Sequence, residues 1–70
     1  MMTDRAGASR LAIIDKKTHV VINIVIGTIA WAQKVYTDSH PHYFIDVGHP
    51  PDIGWTFDQT SGRFVQPKPE

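Results

Sequence analysis

Hydrophobic residues along this chain come in short runs of strand length, with polar clusters between them. Residues 11–15 form a brief apolar run. Residues 20–26 form a longer one, rich in the β-branched residues that pack well on a pleated surface. The even positions of the second run are Val20, Ile22, Ile24 and Ile26, all apolar. The odd positions, Val21, Asn23 and Val25, are mixed. Because strand side chains alternate between faces, the even set predicts the core face. The odd set predicts a partly covered face, under a helix or a second chain. The intervening Asp15-Lys16-Lys17-Thr18-His19 has the length of a hairpin loop.

Gly27 closes the second run, and Thr28 has the hydroxyl that an N-cap needs to accept an orphan N–H. A short helix is expected from there through Tyr36. Ile29, Ala32 and Tyr36 fall on one stripe, and Trp31 and Val35 on another. At about two turns it must dock on a sheet to persist. Residues 42–47 alternate again, with Tyr43, Ile45 and Val47 on one face and His42, Phe44 and Asp46 on the other. Gly48-His49-Pro50-Pro51-Asp52 predicts a stiff, extended break. Trp55-Thr56-Phe57 and Arg63-Phe64-Val65 then flank a second loop, Asp58-Gln59-Thr60-Ser61-Gly62. The two loops share a pattern of Asp, two variable residues, a hydroxyl, and a residue able to take positive φ, which predicts similar turns.

These elements give a mostly β fold with a minor helical part: a small antiparallel sheet of about five strands in two hairpins, with one short helix. The expected organisation is a flexible N-terminal arm over residues 1–10, one β-rich domain over 11–66, and a Pro-rich tail over 67–70. Seventy residues allow a single domain, one that buries only about 60% of the surface its unfolded chain exposes. Such domains usually draw on disulfides, a metal or a partner. With no cysteine, disulfides and thiol chemistry are out.

The 7 basic residues balance the 7 acidic ones. A nucleic-acid binder normally carries a basic excess, so that partner is disfavoured, although aromatics beside Arg or Lys keep a small single-stranded nucleic-acid-binding domain as an alternative. The longest apolar run falls far short of the roughly 20 residues of a membrane helix, and residues 1–10 lack the apolar middle of a signal peptide.

The segment Asp52-Ile53-Gly54-Trp55-Thr56-Phe57-Asp58, followed by Ser61-Gly62-Arg63-Phe64 and a proline-rich end, resembles the "IGWTYDG…F…P" ending of small tailed-bacteriophage proteins and phage tail proteins. The likeness spans roughly residues 11–67 and is strongest over 53–64. This chain has His19 where glycine is usual and a longer turn at Gln59-Thr60-Ser61. The resemblance implies a non-enzymatic structural role in a virion: tail or tail-fibre associated, or at the neck or capsid. Partners would be other virion proteins or further copies of the chain, with synthesis in the host bacterial cytoplasm. An assembly chaperone of tail fibres, absent from the mature particle, is the alternative.

Candidate chemistry is sparse. His40-Pro41-His42 places two imidazoles two residues apart, and trimeric phage fibres make His-x-His metal sites conceivable, though one chain offers too few ligands. Asp46 and a histidine of its strand form a formal dyad, for which a surface ion pair is the commoner explanation. No nucleophile elbow, zinc-protease motif or phosphate loop is present. No catalytic, cofactor-binding or metal residue is therefore assigned, and no small-molecule substrate or membrane partner is expected. Trp55 is expected in the core; Trp31 divides evenly between core and interface.

Overall fold

The computed structural model describes residues 8–67. Its order is β1 (Ala8–Asp15), β2 (Val21–Thr28), α1 (Ile29–Val35), β3 (His42–Asp46), β4 (Thr56–Asp58) and β5 (Arg63–Val65). The expected mostly β class with five strands and one helix is what the chain adopts. The strands divide between two antiparallel sheets, β2-β1-β3 and β4-β5, joined by a single bridge between Val20 and Thr56.

The central strand explains the layering. Leu11, Ala12, Ile13 and Ile14 are all buried, so β1 presents apolar side chains on both faces. Leu11 and Ile13 pack with Ala32 of α1, and with Val25, Ile29, Tyr36 and Phe44 around them. Ala12 and Ile14 pack with Val21, and with Tyr43, Ile45, Trp55, Phe57 and Phe64 among their neighbours. The result is three layers, helix over sheet over hairpin. The alternation expected in β3 holds, and Trp55 belongs to the core.

α1 starts where the sequence places it. Thr28 Oγ1 accepts the Trp31 N–H at 3.1 Å. The chain passes from β2 straight into the helix, which carries it across β1 to the far edge of the sheet.

Three expectations need correction. β1 begins at Ala8, so residues 8–10 pair with β2 and are not part of an arm; residues 1–7 lie outside the described residues, as do 68–70 of the tail. The even face of residues 20–26 is the core face only at Ile24, which packs against Ala12, Ile14 and Val21. Val21 is fully buried, whereas Ile22 and Ile26 are 41% and 70% exposed. A bulge puts Val21 in the place expected for Ile22: Ile13 opposes Asn23 but Ile14 opposes Val21, leaving Ile22 unmatched, and the alternation changes parity there. β2 is also an edge strand, so its outer end has little to cover it. Third, residues 48–52 form no regular element, with a bend at His49 and cis peptide bonds before Pro50 and Pro51, and the turn follows at Asp52–Trp55. Arg10 holds the irregular segment: its guanidinium donates to the carbonyls of Gly48 and Pro51, and stands 3.9 Å from Asp52.

Replacing Ile14 with alanine should lower stability by about 2–5 kcal/mol, since the site is closed on every side. For a domain this small that approaches the whole stability, so urea titration should show loss of most or all of the folded baseline.

Candidate functional site

Both hairpin loops are built alike, as their shared pattern predicts. Asp15 Oδ1 accepts the Lys17 N–H at 2.7 Å, and the Asp15 carbonyl accepts the His19 N–H at 2.7 Å. At the same offsets, Asp58 Oδ1 accepts from Thr60 at 3.0 Å and the Asp58 carbonyl from Gly62 at 2.8 Å. Each loop ends in a left-handed residue, His19 at φ 60° and Gly62 at φ 73°. That position is strained for a side chain by roughly 1–2 kcal/mol, and His19 has an offsetting contact. Its Nδ1 lies 2.9 Å from the Tyr43 hydroxyl, with the rings edge to face.

The hairpins touch through backbone. The His19 carbonyl accepts from Phe57 (2.7 Å), Val21 donates to Trp55 (2.7 Å), and Gly54 donates to the Val21 carbonyl (2.8 Å). The Gly-Trp-Thr-Phe stretch that carries the sequence resemblance is thus the strap that fastens the second hairpin to β2. Between the loop tips, Thr18, His19, Thr56, Phe57, Asp58, Gln59, Thr60 and Val65 line a broad, open groove of about 570 Å³.

The structure brings His40 and His42 together, with ring centroids 5.2 Å apart. However, His40 Nδ1 accepts the His42 backbone N–H at 3.0 Å. In the neutral ring this leaves the proton on Nε2, so His40 has no lone pair for a metal while that bond stands. Its ring also lies 5.0 Å from that of Tyr36, edge to face. No group of three or more His, Cys, Asp or Glu with metal-site geometry occurs among the described residues. The histidine pair closes a turn; its geometry does not suit metal ligation by both rings. Asp46 is exposed, and no ion pair joins it to a histidine among the described residues.

The most distinctive surface lies along β2 and α1. Ile22, Ile26, Trp31 and Val35 are all large, apolar and more than a third exposed. The Trp31 ring covers Gly27 so closely that a Cβ there would stand 3.0 Å from it. Sequence reading left Trp31 undecided and did not mark Ile22 or Ile26 as exposed. Asn23, the polar member of the mixed odd face, accepts the Ile24 N–H through Oδ1 at 2.9 Å. No signal short of the bulge itself distinguishes Ile22 from a core residue. The chain matches no family model, no curated protein and no solved structure.

Burial raises the Tyr43 hydroxyl above the usual phenol value of 10.0. The folded protein therefore holds this proton more tightly than the unfolded chain does. That contribution is fully present below pH 10 and is lost as pH rises through the higher folded value. Tyr43→Phe should flatten the alkaline fall in stability, and also cost about 1 kcal/mol near neutral pH through the lost contact with His19. Denaturation across pH 7 to 11 checks both. Gly62→Ala should cost about 1–2 kcal/mol, because its left-handed backbone disfavours a Cβ.

Proposed function

We propose that this chain is a non-enzymatic structural component of a tailed-phage virion, associated with the tail or tail fibre or with the neck or capsid, and acting through protein–protein contacts. The observation that carries the protein-contact part is the exposure of Ile22 and Ile26 on an edge strand and of Trp31 and Val35 on the helix that follows it. Exposed apolar residues that cluster, as distinct from scattered ones, mark interaction surfaces. An edge strand adds unpaired backbone groups, which another chain can meet by strand addition. The virion part rests on the resemblance of residues 52–64 to phage tail-protein endings. The structural role of that segment gives it a physical sense. Asp52 and Trp55 frame a turn at Gly54, with φ 95°, and Asp58 starts the next one, so the motif specifies a stapling hairpin. The open groove at the loop tips does not enclose a small molecule in the manner of a substrate pocket, which commonly buries most of its ligand.

Mass spectrometry of purified particles encoded with this gene should find the chain at a fixed copy number. Its presence in the producing cells but absence from particles would overturn the virion assignment in favour of an assembly factor.

A further inference from the structure

The hydrogen-bond pattern identifies which backbone groups of β2 face outward. The Arg10 carbonyl accepts from Val47 at 2.9 Å, and Lys16 donates to Pro41 at 3.0 Å, so the even residues of β1 address β3. Its odd residues then address β2, where Ser9, Leu11 and Ile13 oppose Gly27, Val25 and Asn23. In an antiparallel ladder a residue's N–H and C=O point the same way and neighbours alternate. Ile24 and Ile26 therefore direct their backbone groups away from the sheet. No strand pairs with that stretch among the described residues; the strap from the second hairpin engages only His19, Val20 and Val21.

The two edges of the sheet are unequal. On β3, His42 spends its outward N–H on His40, Asp46 adds a charge, and Pro41 precedes the strand. Such features discourage pairing. On β2, the sequence Val-Ile-Asn-Ile-Val-Ile-Gly-Thr holds no charge and no proline. Among the described residues, its one protecting contact is the Asn23 carboxamide on the Ile24 N–H.

We propose that the occupant of this edge is a second copy of the chain, paired antiparallel through β2 about a two-fold axis at Val25. The register is self-complementary. Ile24 of each copy opposes Ile26 of the other, and each such pair exchanges both hydrogen bonds once Asn23 releases the Ile24 N–H. Ile26, the most exposed large apolar residue of the described chain, is then covered by Ile24 from the second copy. On the opposite face, Gly27 under the Trp31 ring comes beside Asn23. The sheet becomes six strands, β3-β1-β2 followed by its symmetry mate. Charge presents no obstacle, since the strand is neutral and the chain has equal numbers of acidic and basic residues. Ile22, Ile26 and Trp31 are 41%, 70% and 44% exposed, and covering them supplies part of the approximately 800 Å² per partner of a standard interface, with the backbone edge and α1 to supply more. The inference rests on the protein-contact reading above and names its first partner.

Light scattering on the full chain should give twice the 7.9 kDa chain mass at tens of micromolar. Ile26→Lys should halve that mass while leaving the circular dichroism spectrum unchanged, because the wild-type side chain is largely exposed. Val25→Cys, in a chain with no other cysteine, should cross-link to itself on mild oxidation, whereas Asp58→Cys at the loop tip should not. A wild-type monomer at hundreds of micromolar would overturn the proposal. So would a dimer unaffected by Ile26→Lys, or a Val25→Cys chain that cross-links no better than the Asp58→Cys one. A wild-type monomer still found in purified particles would separate failure of this pairing from failure of the virion assignment.

Discussion

Everything in this small fold depends on one strand being buried from both sides. Four consecutive residues, Leu11 to Ile14, lose all or nearly all contact with water. Neither a single helix nor a single hairpin could accomplish that, because each covers only one face. The chain therefore needs both, and the order of its elements follows. β2 and β3 flank β1, α1 closes one face on the way between them, and the second hairpin closes the other. With no disulfide available, the burial of these side chains is the main source of cohesion, and the second hairpin is integral to it. β4 and β5 are three residues each, too short to persist apart from the sheet they cover.

The backbone contacts around Val21 show how the two halves are held in register. The strap at Gly54 to Phe57 occupies the first part of the β2 edge, and no strand among the described residues pairs with the later part. Cohesion of the fold and the proposed pairing thus call on different residues of one strand edge. The histidines fit the same structural theme. His19 completes a turn and meets Tyr43, while His40 caps a backbone donor beside β3.

Much of this arrangement was legible from sequence because its signals are local. Thr28 marks the helix start, the Asp-to-Gly spacing marks the second turn, and the matching Asp15 loop predicts its twin even with histidine in the final place. The alternation of residues 42–47 gives the faces of β3 correctly. What could not be read is non-local. The exposure of Ile22 and Ile26 depends on a bulge opposite β1 and on β2 lying at an edge, and periodicity reports neither. Residues 8–10 look like an arm because their strand character comes from pairing with residues 26–28, not from their own composition. The exposed apolar border, the part of the surface with most to say about partners, was for that reason hidden inside what reads as a core strand.

The bulge at Ile22 has a consequence for how this chain can vary. On either side of it the ladder is regular, and removing the unmatched residue would join the two halves with every other side chain still on its present face. Length between the first turn and the helix can therefore change by one residue at this point without inverting the strand, which ordinary β pairing forbids. Ile22 is in effect a spacer that the fold does not count, and an alignment gap in the middle of β2 would be no evidence against shared architecture.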